Sequence, residues 1–494
     1  MSAAAPDPTA SELDGADVAV IGAGLAGLSA AVYLRRAGLT VRVYDPAPPG
    51  GKARTIEPAP GWRVEWGPHS FTSRAYALFD LAEVLGLGDR AVRLGEAAGA
   101  RYLVRGGRLR RAPFGGAIGL GEGIGLLRGL FRRVADVPGE SIQAWVARRF
   151  GSAFAAGPLD AMMTGIWASD PATIEMDSAF PTVSALVRTE GTVFRALREL
   201  RRLSEGLRAA GAARTAGTWG FPRGMGELAD AARVYLGADT FRAQPVTRVA
   251  LGPEGQGYTV TTQRGVTPCR AVVIATEAPA AARLLADLAP AASAALGEVT
   301  YAPLAVAHWL ARDAAFPRGF GYLAPSEEKR EVLGAIFVSD LYPDRAPPGF
   351  RAFATMLGGS RNPGDLDLHV DEVKRRLADE HLMLTGRPVT ITGLHVVRHP
   401  HAVAPPRPGH ADRVARIVAA LPTGICVAGS WCGAGAMDDA VRAGREAAQA
   451  LAAMGASGKA SSGVDPHTDE AEPVTDELDR AARAARQAGD PHVS

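Results

Sequence analysis

Apolar positions and their spacing divide this chain into recognisable elements. The stretch DVAVIGAGLAGLSAAVYLRRAGLTVRVYD (17–45) opens on an apolar run, breaks at glycines, resumes at helical spacing and ends in alternation. It predicts a strand, a tight turn, a buried helix and a second strand. Helical spacing dominates from about 75 to 215. FRAQPVTRVALGPEGQGYTVTTQRGVTPCRAVVIAT (241–276) predicts a strand-rich meander with turns at Gly252-Pro253-Glu254-Gly255 and at Gly265. Residues 300–400 mix strand patterns with a helix near 368–382. ICVAGS (425–430) predicts a buried strand and DDAVRAGREAAQALAAM (438–454) a helix. Residues 1–15 and those from 456 onward hold few large apolar side chains, so disorder is expected there, with a helix over 473–487 on binding.

At 494 residues the chain is too long for one simple core. A formal net charge of only +2 weighs against a nucleic-acid binder. The three cysteines, Cys269, Cys426 and Cys432, match no zinc spacing and suggest a reducing compartment without a disulfide framework. The N-terminus does not read as a secretory signal, and no apolar run of about 18 residues predicts a membrane span. GGAIGLGEGIGLLRGLF (115–131) comes nearest; its glycines and Glu122 oppose spanning but allow it to rest on a membrane surface. Just before it, ARYLVRGGRLRRAP (100–113) gathers five arginines around a Gly106-Gly107 turn. A polyanion, a membrane, an acidic small molecule or plain solvation would each suit that charge.

The sharpest chemical signal is Gly22-x-Gly24-x-x-Gly27, set between a strand and a helix. Gly22 makes the turn, Gly24 lets a pyrophosphate approach the backbone, and Gly27 lets helix pack on strand; Leu25 and Ala26 start the helix. Asp45 ends the second strand, where a carboxylate can accept ribose hydroxyls. PPGGKART (48–55) then offers Gly50, Gly51, Lys52 and Arg54 as further donors and cations. At the far end, Gly429 and Ser430 lead through WCGAGAM to a helix near Met437 and Asp438, whose N-terminus can serve an isoalloxazine ring. Together these favour FAD over NAD. The expected fold class is α/β (α+β). A Rossmann-type FAD-binding domain is assembled from separated segments (16–74, 216–299, 411–455), with a mixed-sheet substrate domain (300–410) and an inserted helical region (75–215) that contributes to substrate and possible membrane contact.

These residues resemble the FAD-dependent amine oxidase superfamily, through VIGAGLAGLSAAVYL, GGKART and VAGS…DDAVRAGREAA. EWGPHSF (65–71), RYLVRGGRLRRAP (101–113), GESIQAWVARRFG (139–151), MMTGIWASDPATIEMDSAFP (162–181), GFGYLAPSEE (319–328) and MLGG (356–359) resemble its protoporphyrinogen/coproporphyrinogen oxidases. The similarity covers about residues 16–453. It implies that Arg101 meets a substrate propionate, that Gly165 and Met356 line the cavity, and that Phe320 and Leu323 flank a pyrrole with Gly321 between them. It sets Glu65, Gly67 and Pro68 near the flavin and the Val246 backbone at the adenine. Ser430, Asp438 and Asp45 depart from the family's commoner residues, which leaves their individual flavin contacts open. The implied activity is six-electron aromatisation of a porphyrinogen in haem biosynthesis, with molecular oxygen as acceptor and hydrogen peroxide released. No catalytic acid or base is assigned, and no metal.

Two rivals stand beside it. One is an FAD-dependent amine oxidase or carotenoid desaturase, for which Trp431 in the C-terminal loop keeps an aromatic cage open. The other is a non-catalytic flavin-binding membrane or assembly protein. The expected location is cytoplasmic. Peripheral contact at the inner face of the membrane is left open, as is contact with neighbouring haem-pathway enzymes. His69 reads as a surface or structural histidine, His308, His395 and His399 lack metal spacing, and Arg105, Arg108, Arg110 and Arg111 are expected to face solvent or a membrane.

Overall fold

The computed structural model describes residues 15–113, 116–135, 137–209 and 214–456. The disorder expected at either end and the helix expected over 473–487 lie outside the described residues, Gly15 and Ala456 excepted.

Strand Ala16–Ile21 is parallel to Val41–Tyr44 on one side and to the second half of Gly265–Ile274 on the other. Phe241–Arg242 extends the sheet beyond Val41–Tyr44, and Ile425–Val427 pairs with Val272–Ile274. Both faces of this sheet are covered, which is why its strands read as continuous apolar runs. Val18, Val20, Val41 and Val43 pack against helices Leu25–Arg36 and Met437–Ala456. Each large aliphatic side chain removed from water there contributes about 1.5–3 kcal/mol. A Cβ on Gly444 would lie 2.1 Å from the Ala26 carbonyl oxygen, so only glycine lets the two helices cross this closely. The meander strands Val246–Leu251 and Tyr258–Thr262 continue the sheet antiparallel from the first half of Gly265–Ile274, and Val249, Tyr258 and Val260 join Ala19, Ile21 and Tyr44 in a second core.

The second sheet runs in the order Gly393–Val403, Ala302–Ala311, Arg351–Gly358, Gly334–Ile336, Gly321–Leu323, Arg101–Arg105, Arg108–Ala112. Period-two alternation divides its faces. Tyr322, Trp309, Phe353 and Leu357 join Phe316 and Phe337 against helix Val370–Thr385, with the Trp309 and Phe353 rings stacked at 4.2 Å. The other face holds Val306, Leu310, Ala354 and Met356 and packs against Trp62 and Val64 of hairpin Thr55–Ala59/Trp62–Glu65.

Between the sheets' segments run helices Tyr76–Val84, Leu120–Phe131, Ile142–Phe150, Asp160–Trp167, Pro181–Glu190 and Val193–Ala209. Trp145, Phe150, Leu159, Met163 and Trp167 form a core here. The arginine-rich stretch is a hairpin turning at Gly106 and Gly107, both at positive φ, and it joins the second sheet through parallel pairing of Arg101 with Gly321. No helix of the described residues is long and apolar enough to cross a membrane.

Candidate active site

In the first glycine turn each glycine has its own local geometry. Gly22 sits at φ 105°, where a side chain is strained, and its Cβ would also strike the Ala275 carbonyl. A Cβ on Gly27 would lie 1.9 Å from the Gly22 carbonyl oxygen, so the helix needs glycine there to reach the turn. Gly24 has ordinary backbone angles, and a Cβ there would meet nothing within 4 Å. That open approach leads to Leu25, Ala26 and Gly27, whose N–H groups precede the first intrahelical bond from Leu28 to Gly24 at 2.9 Å.

The second glycine pair lies alongside. The Gly50 amide donates to the Ala23 carbonyl at 2.7 Å, and Gly51 abuts Gly24 so closely that a Cβ would lie 3.0 Å from its Cα. Asp45 accepts from the Ala23 and Ala47 amides, both at 2.8 Å, which ties the end of the second strand to the turn. Its own amide donates to the carbonyl of Arg242, two residues before the Gln244–Pro245 link into Val246. Lys52 forms an ion pair with Glu277 at 3.0 Å and donates to the His401 carbonyl; His401 Nδ1 is 2.8 Å from Glu277. Arg54 stacks over Trp66 at 3.5 Å. Gly67 lies against the Lys52 carbonyl, 2.6 Å from where a Cβ would be, and Pro68 follows it.

From the C-terminal side, helix Met437–Ala456 docks on helix Leu25–Arg36 through Ser29 Oγ, which donates to the Val441 carbonyl at 2.7 Å. Gly429 and Ser430 enter the loop before it, and the Gly435 amide donates back to the Ser430 carbonyl at 3.1 Å. Asp438 accepts from the Leu78 amide at 3.0 Å, in the first turn of helix Tyr76–Val84. Burial pushes its carboxyl up to about 7, ahead of the smaller effects of the Leu78 bond and neighbouring charges.

The substrate residues implied by resemblance converge on the second sheet. Leu323 pairs with Gly334, and Gly334 with Met356, so all three fall in one cross-strand row on the same face. Gly165 presents its missing side chain to Leu323, 2.7 Å from where a Cβ would lie. Gly321 must be glycine, because at φ 147° its Cβ would lie 2.0 Å from the Ala335 carbonyl oxygen. Phe320 is held by its amide on the Ala100 carbonyl, and the Arg101 guanidinium lies 4.5 Å from its ring centroid. Trp167 Nε1 donates to the Ala434 carbonyl at 2.6 Å, joining the Gly165 helix to the C-terminal glycine loop.

Of the two readings of His69, surface or structural, the surface one fails: it is buried, neither ring nitrogen has a partner among the described residues, and its ring faces His308 at 5.7 Å. His308 bonds the Glu65 backbone but leaves Nε2 unpaired, and burial pushes it down to about 3 with His395 adding to the effect. Arg105 does not face solvent or a membrane; it is half-buried and pairs with Glu122 and, at 3.0 Å, with Glu327. Arg108, Arg110 and Arg111 are exposed. Reading the sequence also missed the Glu65–Arg345 ion pair, closed at 2.7 Å with both side chains almost wholly buried. Burial raises the Glu65 carboxyl, while Arg345 opposes that rise.

The residues fit FAD. The open cradle at Gly24 leads to a helix N-terminus, and the EWGPH stretch holds buried, unpaired polar atoms at Trp66 Nε1 and on the His69 ring, where a polar heterocycle can pair. The model of the flavin containing amine oxidoreductase family matches residues 25–452. The chloroplastic protoporphyrinogen oxidase of Nicotiana tabacum is 27% identical over 438 residues, 82% of this chain and 79% of that protein. The coproporphyrinogen III oxidase of Mycobacterium tuberculosis is 27% identical over 434 residues, 83% and 92%. Among solved structures, a provisionally named protoporphyrinogen oxidase from Exiguobacterium superposes with a TM-score of 0.75 at 20% identity, over 88% of this chain and 98% of that one. Cyclohexylamine oxidase from Brevibacterium oxydans gives 0.64 at 20% identity, over 89% and 99%. The chain belongs to the flavin containing amine oxidoreductase family and is an oxidoreductase that uses FAD.

Proposed function

We propose that this enzyme aromatises a porphyrinogen, protoporphyrinogen IX or coproporphyrinogen III, with molecular oxygen as the final acceptor. The observation that carries the reading is the meeting of Arg101 with Phe320 at one end of a sheet face whose next row holds Leu323 and Met356, with Gly165 closing over Leu323. A tetrapyrrole with acidic side chains needs that combination of apolar wall and peripheral cation. FAD, which the Gly24 turn and the Met437–Ala456 helix would hold, would supply two-electron oxidation with oxygen as acceptor, so that removal of six electrons would take three turnovers.

The chain's own task is to bind and orient. Arg101 anchors a propionate, the Leu323–Met356 row supplies an apolar floor, and Trp62 and Val64 help keep water from that face. His308 is held neutral by burial, so it adds no charge to this face of the sheet.

Peripheral membrane contact belongs to the same proposal. Leu120, Ile124, Leu127 and Phe131 form an exposed apolar stripe along one helix, and Phe131 touches Phe194 of a neighbouring helix at 4.7 Å. Exposed Arg128, Arg195 and Arg198 accompany them.

Aerobic turnover of protoporphyrinogen IX, coproporphyrinogen III and a primary amine, followed side by side by porphyrin fluorescence and peroxide, tests the reading. Porphyrin and peroxide from at least one porphyrinogen are expected. Turnover of the amine alone would replace the reading with an amine oxidase.

A further inference from the structure

We propose that Arg93 joins Arg101 in a two-guanidinium seat that grips two neighbouring carboxylates on one edge of the substrate. The proposal rests on the porphyrinogen reading and deepens it. The two arginines lie in a bay of about 490 Å³ also lined by Leu94, Glu96, Ala98 and Thr218.

Strand pairing builds the bay. Arg93 pairs with Trp219, and the Leu94 amide donates to the Thr218 carbonyl at 2.8 Å. The same Thr218 accepts from Arg101 Nη2 through its hydroxyl at 3.1 Å. Thr218 thus holds the Arg101 guanidinium directly and the backbone of Leu94, next to Arg93. Gly217 allows the Arg93 side chain to lie flat across it; at φ 155°, a Cβ there would sit 2.7 Å from Arg93 Nε.

The charge in the bay is not neutralised as it is elsewhere. Arg105, Arg90 and Arg214 each find a carboxylate within ion-pair distance. Among the described residues no ion pair joins an acid to Arg93 or Arg101. Glu96 lines the bay, and its carboxylate contacts neither guanidinium. Arg101 directs Nε to the Ala98 carbonyl at 3.4 Å and one Nη2 hydrogen to Thr218. Guanidinium has five N–H donors, so both Nη1 hydrogens and the second on Nη2 remain for a ligand. Its ring contact with Phe320 orients that open edge.

One carboxylate is satisfied by one guanidinium fork. A second unpaired guanidinium in the same bay therefore points to a second carboxylate. Adjacent propionates on neighbouring pyrroles supply such a pair, and the Phe320 ring against the Arg101 guanidinium provides a plane for the ring system that carries them.

The test uses the FAD-loaded enzyme and the redox-stable porphyrin with two adjacent free propionates, its monomethyl esters and its dimethyl ester. Binding is followed by porphyrin fluorescence in wild type, Arg93→Ala, Arg93→Lys, Arg101→Ala and the double variant. Each alanine is expected to weaken diacid binding about tenfold, the scale of one charge-assisted contact at a half-exposed site. Arg93→Lys should recover part of the loss, and the diester should bind every variant alike. In the monoesters the two losses should no longer add. Wild-type affinity of Arg93→Ala for the diacid, with Arg101→Ala weakened, would overturn the seat while leaving the function intact. A wild-type enzyme that binds no porphyrin and oxidises no porphyrinogen would overturn both, and that turnover result separates the two failures.

Discussion

Gly24→Val should abolish tight FAD binding without unfolding the protein. The backbone at Gly24 has φ −73° and ψ −179°, angles that valine adopts without strain, and a Cβ there meets no atom within 4 Å. The FAD-free fold therefore loses little. If this turn is the pyrophosphate cradle, the phosphates pass this point to reach the N–H groups of Leu25, Ala26 and Gly27. Loss of two charge-assisted hydrogen bonds costs about 3–6 kcal/mol, or about 10²–10⁴-fold in Kd. Gly27→Ala is the counterpart: its Cβ would lie 1.9 Å from the Gly22 carbonyl oxygen, so helix and turn must separate, at about 1–3 kcal/mol of overpacking. Flavin fluorescence titration of FAD-free protein reports Kd, and its thermal melt reports the fold. Gly24→Val should keep its Tm and lose FAD; Gly27→Ala should lose Tm before FAD is added. Wild-type Kd in Gly24→Val would refute the assignment of this cradle.

Three further outcomes follow from buried or exposed groups. Asp438 has a folded pKa of about 7 against an ordinary 3.8, so the native state retains a proton that the unfolded chain releases. Stability should fall as pH rises from about 4 to about 7 and then level, by at most about 4 kcal/mol, and Asp438→Asn should flatten that slope in denaturant titrations; an unchanged slope would show that Asp438 is not its source. Arg345→Ala strands a carboxylate that is 1% exposed and should cost about 3–5 kcal/mol, partly restored by adding Glu65→Gln; an unchanged Tm in the single variant would contradict the buried pair. Leu127→Glu with Phe131→Glu should reduce co-sedimentation with vesicles rich in anionic lipid while leaving FAD content unchanged, and equal co-sedimentation would remove this stripe as the contact.

What could be read without a structure was mostly local. The turn at Gly22 and the helix packing at Gly27 are encoded within six residues, between elements whose apolar spacing is plain, and the observed turn follows it. The C-terminal helix was visible for the same reason, beginning at Met437, one residue before the quoted run. What stayed hidden depends on partners far along the chain. Arg105 is paired with Glu327, 222 residues away, and Glu328 caps the Gly106-Gly107 turn through both backbone amides, so neither arginine count nor alternation could show which charges were satisfied. The parallel pairing of Arg101 with Gly321 has no local code. His69 and His308 come from separate segments and face each other only after the EWGPH stretch crosses the second sheet. Asp438 could be read as a cap on its own helix, whereas its carboxylate serves helix Tyr76–Val84.

Mixing the FAD-loaded enzyme with a porphyrinogen under strict anaerobiosis decides most directly what the site oxidises. Excess enzyme should lose its yellow colour at once, with three flavins bleached for each porphyrinogen consumed and porphyrin absorption rising in step, because aromatisation removes six electrons and each FAD accepts two. Flavin that stays oxidised with both porphyrinogens, whether or not an amine then bleaches it, would contradict the assignment.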